Sequence, residues 1–309
     1  MTVDSSWKLA ARLDSLRIRS EILYSVRRFF HENDFLEVET PLLIPAPAPE
    51  EHIEAVQAGS WFLQTSPELC MKRLLAAGYQ RIYQICKCFR KGERGGRHLP
   101  EFTILEWYRA DADYQDLMGD CEDLVSRISS DLGVAGIFSS QGGKISLQKP
   151  WGRITVEDAF IRYAGIKAAE ALERGSFEEI LTSEIEPRLG LDMPVFLCDY
   201  PKEMAALARL KEETPEVAER FELYVDGMEI ANAFSELTDP VEQKRRFVEA
   251  SRKREQEGYA IYPEPEPFLQ ALSRMPPSAG IALGVDRLAM IFTGRQRIDD
   301  VVAFTPEML

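Results

Sequence analysis

The chain has 309 residues, 45% hydrophobic and 28% charged, with 37 Lys and Arg against 51 Asp and Glu for a net charge of −14. That length holds one large catalytic domain or two small ones, and no stretch reaches the roughly 18 uncharged apolar residues of a spanning helix. An acidic balance argues against broad nucleic-acid contact, which Lys and Arg drive by releasing counterions, and leaves room only for a local basic groove.

The first residues, MTVDSSWKLAARLDSLRIRSE, lack the basic-then-apolar pattern of a secretory signal. Residues 13–31 have helical spacing of Leu16, Leu23, Val26, Phe29 and Phe30, which predicts an amphipathic helix. Phe35 to Thr40 reads as a short strand stopped by Pro41. PAPAPEEH (45–52) reads as a loop or flap. Ser66 as cap and Pro67 in the first turn open a second helix that closes on Gly78. RIYQICKCFR and EFTILEWYRA, joined by KGERGGRHLP, form a long hairpin. Residues 113–133 and about 155–187 read as helical. FELYV-DG-MEIANAF is a second hairpin with an Asp-Gly turn. GIALGVDRLAMIFTG reads as a strand that breaks at Gly284 into a helix. Hairpins separated by helices, rather than regular strand–helix–strand units, predict an α+β fold: an antiparallel sheet flanked by helices. Five cysteines at irregular spacing (Cys70, Cys86, Cys88, Cys121, Cys198) contain no CxxC pair and read as reduced, partly buried thiols of a cytoplasmic protein.

Alternation places Phe102, Ile104, Glu106 and Tyr108 on one strand face. Arg90, Lys91, Arg94, Arg97 and His98 gather cations beside it. Such a loop either holds a phosphate chain, with Phe102 as a surface for a base, or is simply a solvated basic loop. In the second hairpin a two-residue turn sets Val225 against Met228, Tyr224 against Glu229 and Glu222 against Ala231. Glu222 and Glu229 then sit diagonally on one face, within reach of a shared cation such as Mg²⁺, or are two solvated glutamates. Strict alternation would turn Asn232, Phe234 and Glu236 away from Glu229, so one shared cleft requires a bulge near Ala231–Ala233. Arg287, just inside a helix after Gly284, can reach a phosphate at that helix start. Phosphate-binding loops of the GxxxxGK[ST] and GxGxxG types and a GxSxG elbow are missing, and His31, His52 and His98 are too few for a His-rich zinc site.

FFHENDFLEVETPLL, FRKGERGGRHLPEFTILEWY and GIALGVDRLAMIFTG resemble, in order, motifs 1, 2 and 3 of class II aminoacyl-tRNA synthetases. FELYVDGMEIANAFSEL resembles the segment between motifs 2 and 3 of the lysyl enzymes, and the likeness runs from about residue 13 to 305. It implies a single catalytic domain over 1–309, with a helical connecting region at about 135–220, and a homodimer built through motif 1 up to Pro41. It implies catalytic roles for Arg90, clamping the α-phosphate and the amino acid carboxylate, and for Arg287, which sandwiches adenine against Phe102. Further ATP contacts fall on Lys91, Gly92, Glu93, His98, Leu99, Leu223 and Gly284, and Mg²⁺ and ATP on Glu222 and Glu229. Glu68, with Ser66 and Pro67, receives the substrate α-amino group. Glu106, Tyr108, Asn232, Phe234, Glu236 and Ala282, next to Glu229, form the amino acid pocket. An ε-ammonium between Glu236 and Tyr108 has the carboxylate partner that a buried cation requires.

The departures from the lysyl enzymes point one way. Their N-terminal oligonucleotide-binding barrel is not found before motif 1, so no anticodon-binding domain is expected. Motif 2 reads Phe89-Arg90-Lys91-Gly92-Glu93 rather than FRxE, and Leu99 replaces an Asn. Ala282 and Ala231 stand where the synthetases have Gly, and their methyls are expected to reshape the pocket. These features resemble the elongation factor P lysyltransferase family, which uses ATP to join (R)-β-lysine, or less well lysine, to a lysine of elongation factor P. The resemblance therefore implies ATP and Mg²⁺, a protein rather than tRNA as acceptor, and no membrane. The other readings are a free-standing enzyme acting on tRNA, an ammonia-using amide ligase of the asparagine synthetase type, and an inactive paralogue. Carboxylates at Glu106 and Glu236 oppose an acidic substrate, and the retained Arg90, Glu222, Glu229 and Arg287 oppose inactivity.

Overall fold

The computed structural model describes residues 6–134, 136–139 and 143–309. Eight strands form the main sheet: β1 (Leu36–Glu37), β2 (Arg81–Phe89), β3 (Glu101–Ala110), β4 (Gly152–Thr155), β5 (Val195–Pro201), β6 (Val217–Val225), β7 (Met228–Ser235) and β8 (Ser278–Gly284). Their spatial order is β1-β2-β3-β8-β7-β6-β5-β4. The two outermost pairs are parallel and the inner pairs antiparallel. The α+β expectation therefore holds, with β8 inserted between the two predicted hairpins.

The first hairpin is regular from Arg81↔Arg109 to Phe89↔Glu101. The second turns at Asp226 and Gly227, both with positive φ (55° and 65°), as an Asp-Gly turn of this type requires. Its ladder slips once: Tyr224 pairs Glu229, but Leu223 pairs Ala231, which leaves Ile230 as the extra residue. The bulge thus falls one residue earlier than expected, and Glu222 faces Asn232, not Ala231. Ile230 and Ala231 both enter the core, so Glu229 shares its face with Asn232, Phe234 and Glu236. The ladder is regular from Ala231 to Ser235 against β8.

One sheet face is closed by three helices: α1 (Leu13–Glu32), α3 (Tyr114–Asp131) and α7 (Val285–Thr293). Phe30, Leu117, Leu124 and Leu288 meet Leu105, Trp107, Phe221, Leu223, Ile281 and Leu283 there, each large side chain contributing about 1.5–3 kcal/mol by burial. A capping box at Asp113 starts α3. On the opposite face, α2 (Glu68–Ala76), α5 (Pro240–Gln256) and α6 (Glu266–Leu272) pack at one end around Met71, Leu75, Phe247 and Phe268. The rest of that face stays open and carries the site.

Three expectations need correction. The strand after α1 is only two residues long, because it pairs with β2 at Leu36↔Ile82 and Glu37↔Tyr83 alone. Pro67 is the N-cap of α2 rather than its first turn. The region 135–220 is not helical throughout: it supplies β4, β5 and the start of β6 to the sheet. Its helical part breaks after α4 (Val156–Ala164) at Gly165 and again at Gly175, whose positive φ values of 72° and 66° end each segment. No helix among the described residues is long and apolar enough to cross a membrane.

Candidate active site

Strands β3, β7 and β8 present one continuous polar face. Ala282 pairs with Glu106 on one side and Asn232 on the other, and Gly280 lies between Tyr108 and Phe234. At one end a cavity of about 340 Å³ opens, lined by Arg90, Glu93, His98, Leu99, Phe102, Glu222, Glu229, Asn232, Ala282, Gly284 and Arg287. A separate groove of about 640 Å³ between Pro41, α2 and α6 contains no predicted site residue except the motif 1 proline.

The cavity brings four arginines, Arg90, Arg97, Arg220 and Arg287, together with the carboxylates of Glu50, Glu93, Glu222, Glu229 and Asp286. Arg90 follows the last residue of β2, and its backbone N–H donates to Pro100 O at 2.9 Å. Its guanidinium lies 5.0 Å from the Phe102 ring centroid; Glu93 stands 3.8 Å away, and Nε has no hydrogen-bond partner. Arg287, in the first turn of α7, donates to Glu229 O at 2.7 Å and Oε2 at 3.1 Å, and its Nη2 is 2.6 Å from His98 Nε2. Burial, then the Arg287 charge, lowers the His98 pKa, so the neutral ring accepts from Arg287. The backbone N–H of Thr103, next to Phe102, donates to Asp286 at 2.8 Å and ties the start of α7 to β3.

Glu222 accepts from Arg220 Nη2 and from Tyr224 OH, both at 2.6 Å. Burial raises its pKa against the pull of Arg220. Burial also opposes ionisation of Glu229, but Arg287 outweighs it and holds the carboxyl below its usual value. Protein cations thus already sit by this acidic pair. No group of three or more acidic, His or Cys side chains among the described residues could hold a metal ion. The donor set fits Mg²⁺ only as an ion carried by a nucleotide: each carboxylate oxygen keeps a second lone pair, and phosphates and water would complete an octahedral shell.

At the other end of the face lies a buried cluster of carboxylates. Glu106 accepts from Ser66 Oγ at 2.7 Å and Tyr108 OH at 2.8 Å. Ser66 Oγ also accepts from the Glu68 N–H at 3.0 Å, so it ties the start of α2 to Glu106. Lys72, one turn after Glu68, reaches Glu68 Oε1 at 2.5 Å and contacts Glu236 Oε2. Its ammonium is 5.1 Å from the Phe234 ring centroid. Burial pushes Glu106 up to about 7, with the Glu68 charge adding to it. Burial pushes Glu236 up to about 8 against the opposing Lys72. Lys72 itself is pulled down by burial and more strongly up by Glu236 and Glu68, so it carries its charge. Oε1 of Glu236 has no hydrogen-bond partner. A methyl on Gly280 would collide with the Tyr108 ring and with that same oxygen, so the glycine is what lets both side chains meet.

Several predicted contacts do not gather here. Lys91 turns out to Glu54 at 2.5 Å, and neither it nor Gly92 lines the cavity. Arg94 turns to Glu307 and Asp299. Leu223 is buried on the opposite sheet face, because period two sets it against its neighbours Glu222 and Tyr224. Ala231 is on that face as well; only the Ala282 methyl reaches the cavity. Pro67 shapes the start of α2 rather than the cavity wall.

Sequence reasoning missed three groups. Lys72 was legible as the helical i+4 partner of Glu68, and Arg220 as the same-face neighbour of Glu222. Glu50 had no local signal. It enters the cavity because the buried Arg254 grips Glu50 O and Ile53 O at 2.5 and 2.7 Å. Burial raises Glu50 to about 7 against the pull of Arg90.

With this geometry in place, comparison with known proteins is specific. The family described as tRNA synthetases class II (D, K and N) matches residues 8–308. The chain belongs to this class II synthetase family. Class II motif 1 falls on α1 and β1 at the sheet edge, motif 2 on the β2–β3 hairpin and motif 3 on β8 and α7. Curated relatives named elongation factor P–(R)-β-lysine ligase align over almost their whole length. The one from Histophilus somni (strain 2336) is 37% identical over 321 positions, covering 98% of each chain. That from Pectobacterium atrosepticum is 38% identical over 331 positions, covering 99% of each. That from Vibrio atlanticus is 38% identical over 320, covering 97% of this chain and 98% of the relative.

Proposed function

We propose that this protein is an ATP-dependent ligase that activates (R)-β-lysine, or lysine, as an aminoacyl-adenylate and transfers it to a lysine side chain of elongation factor P. The observation that carries the reading is one sheet face with an arginine-rich cavity at one end and a buried cluster of carboxylates at the other. A molecule with a carboxylate at one end and amines at the other fits with its carboxylate toward Arg90. Full-length similarity to the (R)-β-lysine ligases supports the same substrate and acceptor.

In the first step a substrate carboxylate oxygen attacks the α-phosphorus of ATP, and pyrophosphate leaves. Arg90 and Arg287 face the charge that develops on the phosphate oxygens, and Phe102 offers its ring to the base. Glu222 and Glu229 would hold Mg²⁺ brought with the nucleotide, which screens phosphate charge. In the second step the neutral acceptor amine attacks the acyl carbonyl; an amide C–N bond forms and AMP leaves. This chain contributes chiefly position and fixed charge.

The reading includes a homodimer. The exposed apolar residues Tyr24, Leu36, Leu42 and Leu43 near the β1 edge support it. The five free thiols suit a reducing cytoplasm, and a charge of −14 suits a protein acceptor better than tRNA. An ammonia-using ligase for an acidic amino acid is disfavoured by Glu106 and Glu236 in the pocket.

The test is ATP–pyrophosphate exchange with (R)-β-lysine, lysine and aspartate, followed by the mass of elongation factor P after incubation with enzyme, ATP and the active isomer. Exchange with a lysine isomer and a mass gain of one lysyl residue are expected. Exchange with aspartate alone, or with no amino acid, would overturn the reading.

A further inference from the structure

Lys72 is 1% exposed and lies inside the pocket meant for the substrate amines. Most elements around it contribute polar groups. Glu68 comes from α2, Glu106 and Tyr108 from β3, Phe234 from β7 and Glu236 from the position just after it. β8 contributes the bare Gly280. Lys72 pairs with Glu68 and Glu236, and Glu106 stands in the same cluster, so three buried carboxylates surround one built-in ammonium. With all groups ionised the cluster would carry two uncompensated negative charges, which a buried site does not sustain without partners or protons. The orphaned Oε1 of Glu236 marks where one partner is missing.

We propose that Lys72 is a specificity-determining positioning residue. It holds Glu68 and Glu236 on one ammonium and sets the pocket's charge deficit at two, so the pocket takes amino acids with two amino groups. A substrate with one amine leaves a carboxylate without a cation. A pocket lacking Lys72 has one negative charge too many for a diamino acid to compensate. The inference rests on the amino acid-activating function proposed above.

The experiment compares wild type with Lys72→Met, close in shape but uncharged, and with Lys72→Arg. It measures KM for (R)-β-lysine in ATP–pyrophosphate exchange from about pH 6 to pH 9, alongside KM for ATP. In Lys72→Met, KM for (R)-β-lysine is expected to rise about 10–100-fold near neutrality. Its pH midpoint should move up by about one unit or more, because losing a cation makes the carboxylates harder to ionise. KM for ATP should change less than about twofold. Lys72→Arg keeps the charge and is expected to keep the wild-type midpoint even where KM rises. A KM raised equally at all pH values in Lys72→Met means packing alone and overturns the inference, as does an unchanged KM. If Lys72→Met does not fold, a shifted midpoint in Lys72→Arg overturns it and an unshifted one supports it. Failure of the wild type to exchange with either lysine isomer removes the parent function, an outcome read without any variant.

Discussion

The two ends of the polar face are built from the same strands and differ in almost every electrostatic respect. Around the cavity, Arg220 pairs with Glu222 and Arg287 with Glu229, Arg90 lies by Glu93, and His98 is kept neutral. In the pocket, Glu68, Glu106 and Glu236 outnumber Lys72, and Glu106 and Glu236 are driven toward protonation. Phe102 at the cavity and Glu106 in the carboxylate cluster are separated along β3 by about 13 Å of extended chain. On the function proposed above, phosphate and carboxylate would go to the arginine end and ammonium to the carboxylate end.

The strongest way to break this comparison is a crossed pair of substitutions. Glu236→Gln should lower kcat/KM for (R)-β-lysine by about 100–1000-fold, as expected from removing one partner of a buried charge pair. ATP affinity, read by calorimetry, should survive. Arg287→Ala should do the reverse, lowering kcat/KM for ATP by about 10–100-fold with little change in amino acid KM. If both variants damage both substrates equally, the ends are not separate.

A pH series sharpens the contrast without mutation. Glu106 and Glu236 have raised pKa values, about 7 and about 8, so each holds its proton below that value. Ammonium groups bind their ionised forms. KM for (R)-β-lysine should therefore rise as pH falls through that window, by up to about tenfold per unit for each proton displaced, and level off above it. A KM that rises with pH instead would place the amines elsewhere.

The smallest expected effect separates two methyls that look equivalent in sequence. Ala282→Gly should change amino acid KM by about 2–5-fold, since its methyl meets the cavity. Ala231→Gly should leave KM alone and cost about 0.5–1 kcal/mol of stability, seen as a lower Tm, because its methyl is in the core. Equal effects on KM would contradict the sheet register.

Local pattern made most of the frame legible. Period two in EFTILEWYRA placed Phe102, Glu106 and Tyr108 together, and Asp226-Gly227 gave the second hairpin its turn. The same rule applied strictly would have separated Glu229 from Asn232, and the need for a bulge was readable even though its position was not. Ile230 takes the bulge because it, like Ala231, can be buried against the helices that cover the far face. That choice depends on β8 and α7, which lie about fifty residues further along the chain.

The sequence by itself determined the class II motifs, the α+β class and the identity of most charged groups at the site, because hydrophobic period and turn chemistry act over a few residues. Only the tertiary structure decided which of those charges meet. Lys91 and Arg94 were drawn off to partners at Glu54 and Glu307, Glu50 was brought in by the buried Arg254, and Lys72 was set between Glu68 and Glu236. Pairing of charges depends on distance and burial, and both are fixed by the closing of strands and helices far apart in the chain.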